Sequence, residues 1–574
     1  MAPLLKLRAD PITREVIRAH TESIAEQMIL TIMKASYSFN LKEARDMSAI
    51  IFDAQGRMIA ESYSMPIHLG SLGRTIKAIL KHYFPPSSLS PGDIIITNDP
   101  YLYDSLGPHH TNDITVFCPA FLNGELVGFA EVLCHYGDVG GLVYPVMAND
   151  IYAEGIRVPP IKLYEEGKPN EEVIKILVNN SRQPKIMKGD LSTQAATSRM
   201  AAGRLAELIQ KYGLETISAC VEDLADISES RYREEIKKIP KGTYTYEDVT
   251  DDDGAQGGPY TIRVRIDVLE DSLKIDFTGT SRQANVSINA PFSATISSTH
   301  AALRLMLDPY APSNDGCFRP YEIYAPPGTL VNPVPPAATS SRMVSTHRIH
   351  EVVVGAMAKA DPKRAIAASY GCSINVGVRA QRRDTGEWFV CLQGNPGGLG
   401  ARPNKDGIDV ICAPLQNWNE WSIEPFEIEF PFLFLKHEFR PDSEGAGKYR
   451  GGLGQIRAFR ILADNITVNT QSDRFVRGPP GLEGGERGAT SMWIINMGTE
   501  KEIRLKSKVT NYPITSEEVF YTITAGGGGY GNPLERDPEL VKEDVLNGKI
   551  SPKRARDVYG LEPRFLAEIG EARW

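Results

Sequence analysis

The sequence predicts a mixed α/β (α+β) fold in which a single chain forms several lobes. Apolar residues recur at helical spacing over 11–38, and the segment 169–237 is rich in Ala, Glu and Arg, as helices often are. Short apolar runs bounded by turn residues, such as 93–97, are typical of buried strands. Glycine, with 50 residues, concentrates in short motifs after residue 394, which favours a glycine-rich, strand-rich C-terminal lobe.

The predicted elements follow from local signals in chain order. Pro11 and Thr13 mark the start of the first helix. Asn123-Gly124, the strongest short hairpin signal in the chain, joins a strand over 113–119 to a strand over 125–135. The other predicted elements are a strand pair over 48–52 and 57–61, a helix over 71–83, a strand over 93–97, helices across 169–237, strands within 242–277, helices over 292–307 and 344–360, and short strands from 365 onward.

A change of character near Pro240 predicts a domain boundary. We expect an N-terminal metal-binding α/β lobe over 1–239, a small β-rich segment over 240–290, a glycine-rich α/β lobe over 291–533 and a peripheral helical tail over 534–574. With 574 residues the chain is long enough to bury a large core without disulfides or metal ions.

The composition excludes several classes of function. The chain has 63 Lys and Arg against 72 Asp and Glu, a net charge of −9, so nucleic acid is not an expected partner. No run of about 18 apolar residues occurs, and charged residues come too early for a signal peptide, so neither a membrane nor secretion is expected. The seven scattered cysteines include no CxxC pair, which favours reduced thiols and a cytoplasmic location.

One group of residues is either a metal site or a loop with solvated His and Asp side chains next to a histidine at a strand end. The loop Gly107-Pro108-His109-His110-Thr111-Asn112-Asp113 leads into a predicted strand, and His135 ends the next one. If the two strands pair as a hairpin, Asp113 and His135 meet at its open end, with His110 on the adjoining loop. Two imidazoles and a carboxylate at a strand end predict a site for a divalent ion that polarises a carbonyl or activates water.

The residues alone leave several assignments open. His109 is an alternative ligand, which we rank below His110. Asp138 is a ligand, a group that orients a ligating histidine, or a turn residue. Asp46 is either a fourth ligand or a solvated residue at the start of a strand, and His68 is a packed structural histidine or a catalytic one.

The glycine motifs do not predict a nucleotide site. The segments 394–400, 451–454 and 526–529 all lack the GxxxxGK[ST] pattern of a phosphate-binding loop. Gly526, Gly528 and Gly531 fit GxGxxG, but Asn532-Pro533 follows where a helix should begin. We interpret these motifs as tight turns and places where backbones approach closely.

Taken together, the motifs indicate that the chain resembles a known protein family. The chain resembles the hydantoinase B / 5-oxoprolinase family along its whole length. The motifs that carry the resemblance are Asp46 with Phe52-Asp53-Ala54-Gln55-Gly56-Arg57, His68-Leu69-Gly70-Ser71, Asn98-Asp99-Pro100-Tyr101, His110-Thr111-Asn112-Asp113-Ile114-Thr115, His135 with Asp138-Val139-Gly140-Gly141, Glu154-Gly155 with Pro159-Pro160, Gly445-Ala446-Gly447 with Arg450-Gly451-Gly452-Leu453-Gly454, Ser472-Asp473-Arg474 with Pro479-Pro480-Gly481, the run 525–529, and Ala555-Arg556-Asp557-Val558-Tyr559-Gly560. In one departure, Gly107-Pro108-His109-His110 stands where the family usually has Gly-Gly-Thr-His, which bears on the shape of the loop.

The resemblance implies a function as one of two components. Family members are beta-type subunits of ATP-dependent hydrolases that open cyclic amides such as lactams, hydantoins and 5-oxoproline. ATP is bound by a hydantoinase A-type partner that phosphorylates the substrate, and two copies of each subunit (α2β2) are implied. The resemblance places a divalent ion (Zn, Mn or Fe) on His110, Asp113 and His135, which would be the catalytic residues, with Asp46 as the best fourth ligand.

Two other functions are compatible with the sequence. Related subunits belong to ATP-dependent ketone carboxylases of the acetophenone type, and incorporation of labelled bicarbonate would distinguish that activity. The third hypothesis is a non-catalytic scaffold with a structural metal ion, against which the open coordination of the predicted site argues.

Overall fold

The computed structural model describes residues 7–63, 65–412 and 414–562. The chain forms two compact units that alternate along the sequence. The first unit takes its described residues from 1–245, 264–342 and 417–419, and the second from 246–263, 343–416 and 420–574. The four sequence segments expected above stay a prediction about domain organisation.

The first unit is built on a seven-stranded antiparallel sheet with strand order β2-β1-β5-β4-β3-β6-β7. Its strands are β1 Met47–Asp53, β2 Met58–Glu61, β3 Ile94–Thr97, β4 Asp113–Leu122, β5 Glu125–His135, β6 Ile161–Glu165 and β7 Lys168–Pro169. Its helices are α1 Pro11–Ala35, α2 Leu72–His82, α3 Glu171–Asn179, α4 Pro184–Tyr212, α5 Leu214–Lys237 and α6 Phe292–Met306. The carboxylate of Asp10 accepts from the backbone N–H of Thr13 (2.8 Å) and caps α1, with Pro11 in the first helical position.

Alternating side chains of this sheet enter two separate cores. Ile114 and Val116 of β4 point into a core with α1 and α4, whereas Phe117 and residues of β1 and β5 pack with α2 on the opposite face. Because both faces are buried, the central strands have nearly continuous apolar runs instead of a polar alternation. Asp113 lies four residues before Phe117 in the same strand, so its side chain is on the same face of the sheet, towards α2.

The hairpin of β4 and β5 contains a bulge that sets the register of the candidate site. Asn123 (φ 53°) and Gly124 (φ 85°) form the predicted turn, and Leu122 pairs with Glu125. The register then shifts by one residue beyond Phe121, so that Asp113 lies directly opposite His135. Without the shift Asp113 would face Cys134, and the His135 side chain would lie on the other face of the sheet.

A four-stranded sheet of order β11-β10-β9-β8 follows the helices. Its strands are β8 Gly242–Thr250, β9 Tyr260–Val268, β10 Leu273–Asp276 and β11 Tyr321–Tyr324. The strands predicted within 242–277 are confirmed, including the break at the acidic turn after Thr250.

The second unit contains two further sheets, of order β13-β12-β16-β19 and β14-β15-β20-β17-β18. The elements are α7 Met343–Ala360, β12 Asn375–Gln381, β13 Trp388–Gly394, α8 Ile423–Glu429, β14 Phe432–Phe439, β15 Gln455–Ile461, β16 Asp464–Gln471, β17 Met492–Ile495, β18 Ile503–Leu505, β19 Val509–Pro513, β20 Phe520–Ile523, α9 Pro538–Leu546 and α10 Pro552–Asp557. The mixed α/β fold with a strand-rich C-terminal part is confirmed. The end of the predicted helical tail, 563–574, lies outside the described residues.

The glycine motifs of the second unit pack backbone against backbone. A Cβ atom on Gly398 would lie 2.0 Å from the carbonyl oxygen of Gly452, and one on Gly526 would lie 1.8 Å from that of Ser443. The N–H of Gly527 donates to the carbonyl of Gly452 (2.9 Å). These segments satisfy one another's hydrogen bonds, so their interpretation as tight turns with close backbone approach is confirmed.

Candidate functional site

The candidate site lies where β4 begins and β5 ends, on the face of the sheet that packs against α2. Nε2 of His110 lies 3.0 Å from Oδ1 of Asp113, and the rings of His110 and His135 are 5.0 Å apart between centroids. His110, Asp113 and His135 are all buried, and each offers one ligand atom within 4.8 Å of the others. The structure therefore brings together the three side chains that the sequence singled out.

The loop that carries His110 is fixed by hydrogen bonds to its neighbours. The side-chain amide of Asn98 donates to the carbonyl of Thr111 (2.6 Å), and that of Asn112 donates to the carbonyl of Tyr136 (2.7 Å). The N–H of Asp113 donates back to the carbonyl of His110 (3.0 Å), which closes a tight turn. The positions of His110 and Asp113 are thus set before any ligand binds.

Asp46 lies at the edge of the group. It comes directly before β1, and the N–H of His135 donates to its carbonyl (3.1 Å). Its carboxylate Oδ2 is 3.8 Å from Nδ1 of His135. The side-chain amide of Asn40 lies 3.1 Å from the same Nδ1 and donates to the carbonyl of His135, so the ring is held from this side.

Two residues that the sequence left ambiguous have clear surroundings. The carboxylate of Asp138 is turned towards Arg182, whose guanidinium lies 2.7 Å away, and it also accepts from the N–H of Gly140. Asp138 therefore stabilises its turn. His68 is not merely packed, because its Nδ1 contacts the hydroxyl of Ser48 (2.9 Å) while its Nε2 lies 3.8 Å from Oδ2 of Asp113.

His109 points to a different part of the structure from His110. Its Nε2 contacts the hydroxyl of Ser71 (3.0 Å), at the start of α2. Together with His68 and Asp113 it forms a second group whose ligand atoms lie within 4.8 Å of one another. The two groups share only Asp113, so its carboxylate lies at the centre of all four histidines.

No pattern in the sequence indicates Arg342, which completes the surroundings of Asp113. Its Nη2 donates to Oδ2 of Asp113 (2.9 Å) across 229 residues of chain, and both side chains are buried. Glu154 holds the turn before Arg342, because its Oε1 accepts from the N–H groups of Thr339 (2.7 Å) and Ser340 (2.6 Å). Glu154 belongs to a motif quoted above, but nothing local links it to Arg342.

The electrostatics favour a neutral His110 imidazole beside an ionised Asp113 carboxylate. Burial, reinforced by the nearby Arg342 cation, lowers the pKa of His110 to about 3. Burial alone would raise the pKa of Asp113, but the neighbouring His110 and Arg342 outweigh it and hold that pKa well below its usual range. Nδ1 of His110 is buried and has no hydrogen-bond partner among the described residues. An uncharged imidazole nitrogen beside an anionic oxygen fits a divalent metal ion.

In this fold a buried His–Asp–His group lies at the strand ends of an antiparallel sheet that helices cover, as in a metal-dependent enzyme. The chain belongs to the hydantoinase B/oxoprolinase family, whose model matches residues 10–533. The family resemblance drawn from the sequence motifs is therefore confirmed.

Two relatives match over nearly their full length. An uncharacterised protein of Methanocaldococcus jannaschii is 36% identical over 556 residues, 96% of each chain. Caprolactamase subunit beta of Pseudomonas jessenii is 30% identical over 581 residues, 98% of each chain. The crystal structure of the ATP-dependent caprolactamase from the same organism matches with a TM-score of 0.88 and 28% identity, over 98% of this chain and 100% of that one.

A more distant structure shares the fold. The nucleotide-free acetone carboxylase matches with a TM-score of 0.88 over 98% of this chain and 83% of that chain, at 19% identity. At this identity the likeness concerns the fold alone.

Within the described residues, no helix is both long and apolar enough to cross a membrane.

Proposed function

We propose that this chain is the metal-holding beta-type subunit of an ATP-dependent hydrolase that opens small cyclic amides such as lactams, hydantoins or 5-oxoproline. Membership of the hydantoinase B/oxoprolinase family and similarity to a caprolactamase subunit and to 5-oxoprolinases support this class of substrate. The observation that carries the proposal is the convergence of His110, Asp113 and His135 on one buried point.

Each residue of the site has a distinct role in this proposal. His110 and His135 present imidazole nitrogens, and Asp113 presents an anionic oxygen. Asp46 is the proposed fourth ligand, because its carboxylate already lies beside His135. When bound, a divalent ion supplies Lewis-acid polarisation of a carbonyl and lowers the pKa of water. Arg342 holds the second oxygen of Asp113 and so fixes the plane of the carboxylate.

In this proposal ATP is bound by a separate hydantoinase A-type subunit. The glycine motifs of this chain that most resemble phosphate-binding loops already hydrogen-bond to one another through their backbone N–H groups. The N–H of Gly527, for example, donates to the carbonyl of Gly452. An unstrained amide resists attack by water, so phosphorylation of the substrate by the partner would activate it for hydrolysis near His110 and His135. We further propose two copies of each subunit.

The proposal is tested by reconstitution. The chain is purified with and without an A-type subunit, and ATP-dependent ring opening of hydantoin, 5-oxoproline and caprolactam is measured. We expect turnover only when both subunits and ATP are present. Ring opening and ATP hydrolysis by this chain alone would contradict the two-subunit assignment, and labelled bicarbonate incorporated into acetophenone would establish a carboxylase instead.

A variant separates catalysis from structural support. His135→Ala is preferable to Asp113→Ala, because Asp113 also neutralises the buried Arg342 and its loss would destabilise the fold for that reason. We expect His135→Ala to abolish ring opening and to lower the metal content, with little change in the melting temperature of the metal-free protein. A collapse of the fold on removal of the metal from the unmodified protein would favour a structural ion.

A further inference from the structure

A cavity in the first unit lies beside helix α2. It has a volume of about 480 Å³, within the range of sites that hold small organic molecules, about 300–1,000 Å³. Its walls come from α2, from the loop that contains Tyr103 and Leu106, and from the segment that contains Phe318 and Arg319. None of the four metal-ligand residues proposed above lines it.

The lining is strongly cationic. Arg74, Lys77 and Lys81 of α2 all face the cavity, at positions that share one side of a helix. Lys77 is neutralised by the carboxylate of Asp315 at 2.8 Å. Arg319 is neutralised by two acidic residues of α5, each 3.1 Å from its guanidinium.

In the described part of the chain, two positive charges in the cavity have no directly bonded carboxylate, although the Asp315 carboxylate that pairs with Lys77 also acts on Arg74. Within 7–63, 65–412 and 414–562, neither Arg74 nor Lys81 makes a side-chain hydrogen bond or an ion pair. Arg74 is also partly buried, and loss of solvent lowers the pKa of its guanidinium, although the group stays charged. A cation held away from water without a partner is costly, so the cavity favours an anion.

The number and type of the charges specify the ligand. Two cations without a directly bonded carboxylate match a phosphate monoester, which carries about −1.5 to −2 charges near pH 7. The planar guanidinium of Arg74 binds phosphate oxygens in pairs, and Lys81 lies two helical turns away, about 10 Å along the axis. Met58, Leu106 and Phe318 supply apolar surface for an organic group.

We propose that this cavity binds a small phosphorylated organic molecule, with its phosphate held by Arg74 and Lys81 and its organic group against Met58, Leu106 and Phe318. This binding is independent of the proposed hydrolase activity. An occupant would touch the loop that leads to the histidines of the candidate site, because Leu106 lines the cavity three residues before His109. The hydroxyl of Thr75 on α2 donates to the carbonyl of Leu106 (2.6 Å) and ties this loop to the helix.

The wall formed by this loop is conformationally unusual. Tyr103, Asp104 and Ser105 have φ values of 24°, 57° and 58°, in the left-handed region that side chains other than glycine rarely adopt. Such a run persists only where its surroundings enforce it, and it is typical of segments that contact ligands.

The test is calorimetric titration of the full chain, treated with EDTA, with phenyl phosphate, inorganic phosphate and glutarate. Phenyl phosphate carries both the dianion and an apolar group, inorganic phosphate carries only the anion, and glutarate is a dicarboxylate. We expect saturable binding of phenyl phosphate that is at least tenfold weaker in Arg74→Gln/Lys81→Gln. The control, Lys175→Gln/Lys185→Gln, removes the same charge from exposed positions of the same unit and should bind as the unmodified chain does.

Several outcomes would overturn the proposal. Unchanged affinity in Arg74→Gln/Lys81→Gln would show that phosphate binds elsewhere, and glutarate binding as tight as phenyl phosphate would refute the assignment to phosphate. If the double variant fails to fold, Lys81→Gln alone serves, because Lys81 is exposed. It should weaken binding several-fold, and equal affinity would again refute the proposal. None of these measurements uses the partner, ATP or a cyclic amide.

Discussion

Arg342→Met should destabilise the protein more than the small change in side-chain volume suggests, because it leaves Asp113 as an uncompensated buried charge. The guanidinium lies 2.9 Å from the carboxylate, and both side chains are almost completely buried. At an effective dielectric constant of about 20 this pair attracts by about 6 kcal/mol. Removal of one partner from a buried pair typically costs about 3–5 kcal/mol, because the remaining charge keeps its desolvation penalty. The first unit has about 330 residues, so we expect its melting temperature to fall by roughly 4–7 °C.

Metal ions and a second substitution separate this explanation from a simple packing defect. A divalent ion at the site gives Asp113 a new counter-ion, so Mn²⁺ or Zn²⁺ should raise the melting temperature of Arg342→Met more than that of the unmodified protein. Arg342→Met/Asp113→Asn removes both charges and should be less destabilised than Arg342→Met alone. Thermal unfolding followed by circular dichroism measures both effects. A loss below about 2 °C, or strictly additive effects in the double variant, would refute the reasoning.

Three further predictions address the site, the sheet and the glycine motifs. Asn40→Ala frees the ring of His135 and should weaken metal affinity about 10–100-fold, measured by competition with a chelating dye; unchanged affinity would contradict its orienting role. Burial raises the pKa of Glu61 to about 7 from its ordinary value of 4.5, so its ionisation costs stability as the pH rises from about 4.5 to 7. Glu61→Gln should therefore gain up to roughly 3 kcal/mol relative to the unmodified protein over that interval in thermal unfolding, and a pH-independent difference would contradict the assignment. Gly526→Ala places a methyl group 1.8 Å from a carbonyl oxygen and should lower the free energy of unfolding by more than about 3 kcal/mol. Gly203→Ala, in open space on α4, should raise it by about 0.5–1 kcal/mol. Both are measured by urea unfolding, and equal effects of the two substitutions would refute the packing argument.

Much of the fold was predictable because its signals are local. The turn at Asn123-Gly124 and the strands on either side of it occur where the sequence placed them, and β5 has the predicted bounds Glu125–His135. The helix predicted over 71–83 is found as Leu72–His82. The short helix α8 was missed, because its seven residues are too few to show a helical period.

The candidate site was predictable only in part. His110, Asp113 and His135 were predicted because they lie on one hairpin and on the loop that leads into it. Pairing its two strands from the turn outward places Asp113 next to His135, with His110 three residues before Asp113. Arg342 was not predicted, because it lies 229 residues from Asp113 in the chain and no motif or residue spacing indicates a contact over that separation. The catalytic and metal-binding roles of these residues stay predictions until metal content and turnover are measured.

The sequence by itself determined which residues meet at the end of the β4–β5 hairpin, because turn chemistry and alternating burial are encoded over a few neighbouring positions. Only the tertiary structure decided on which face of the sheet they meet. A shift of one residue beyond Phe121 places Asp113 opposite His135 and not Cys134, and since side chains alternate along a strand, this shift puts both ligands on the same face. The charge balance around Asp113 was likewise decided by the fold, because a buried carboxylate takes its counter-ion from whichever part of the chain packs against it.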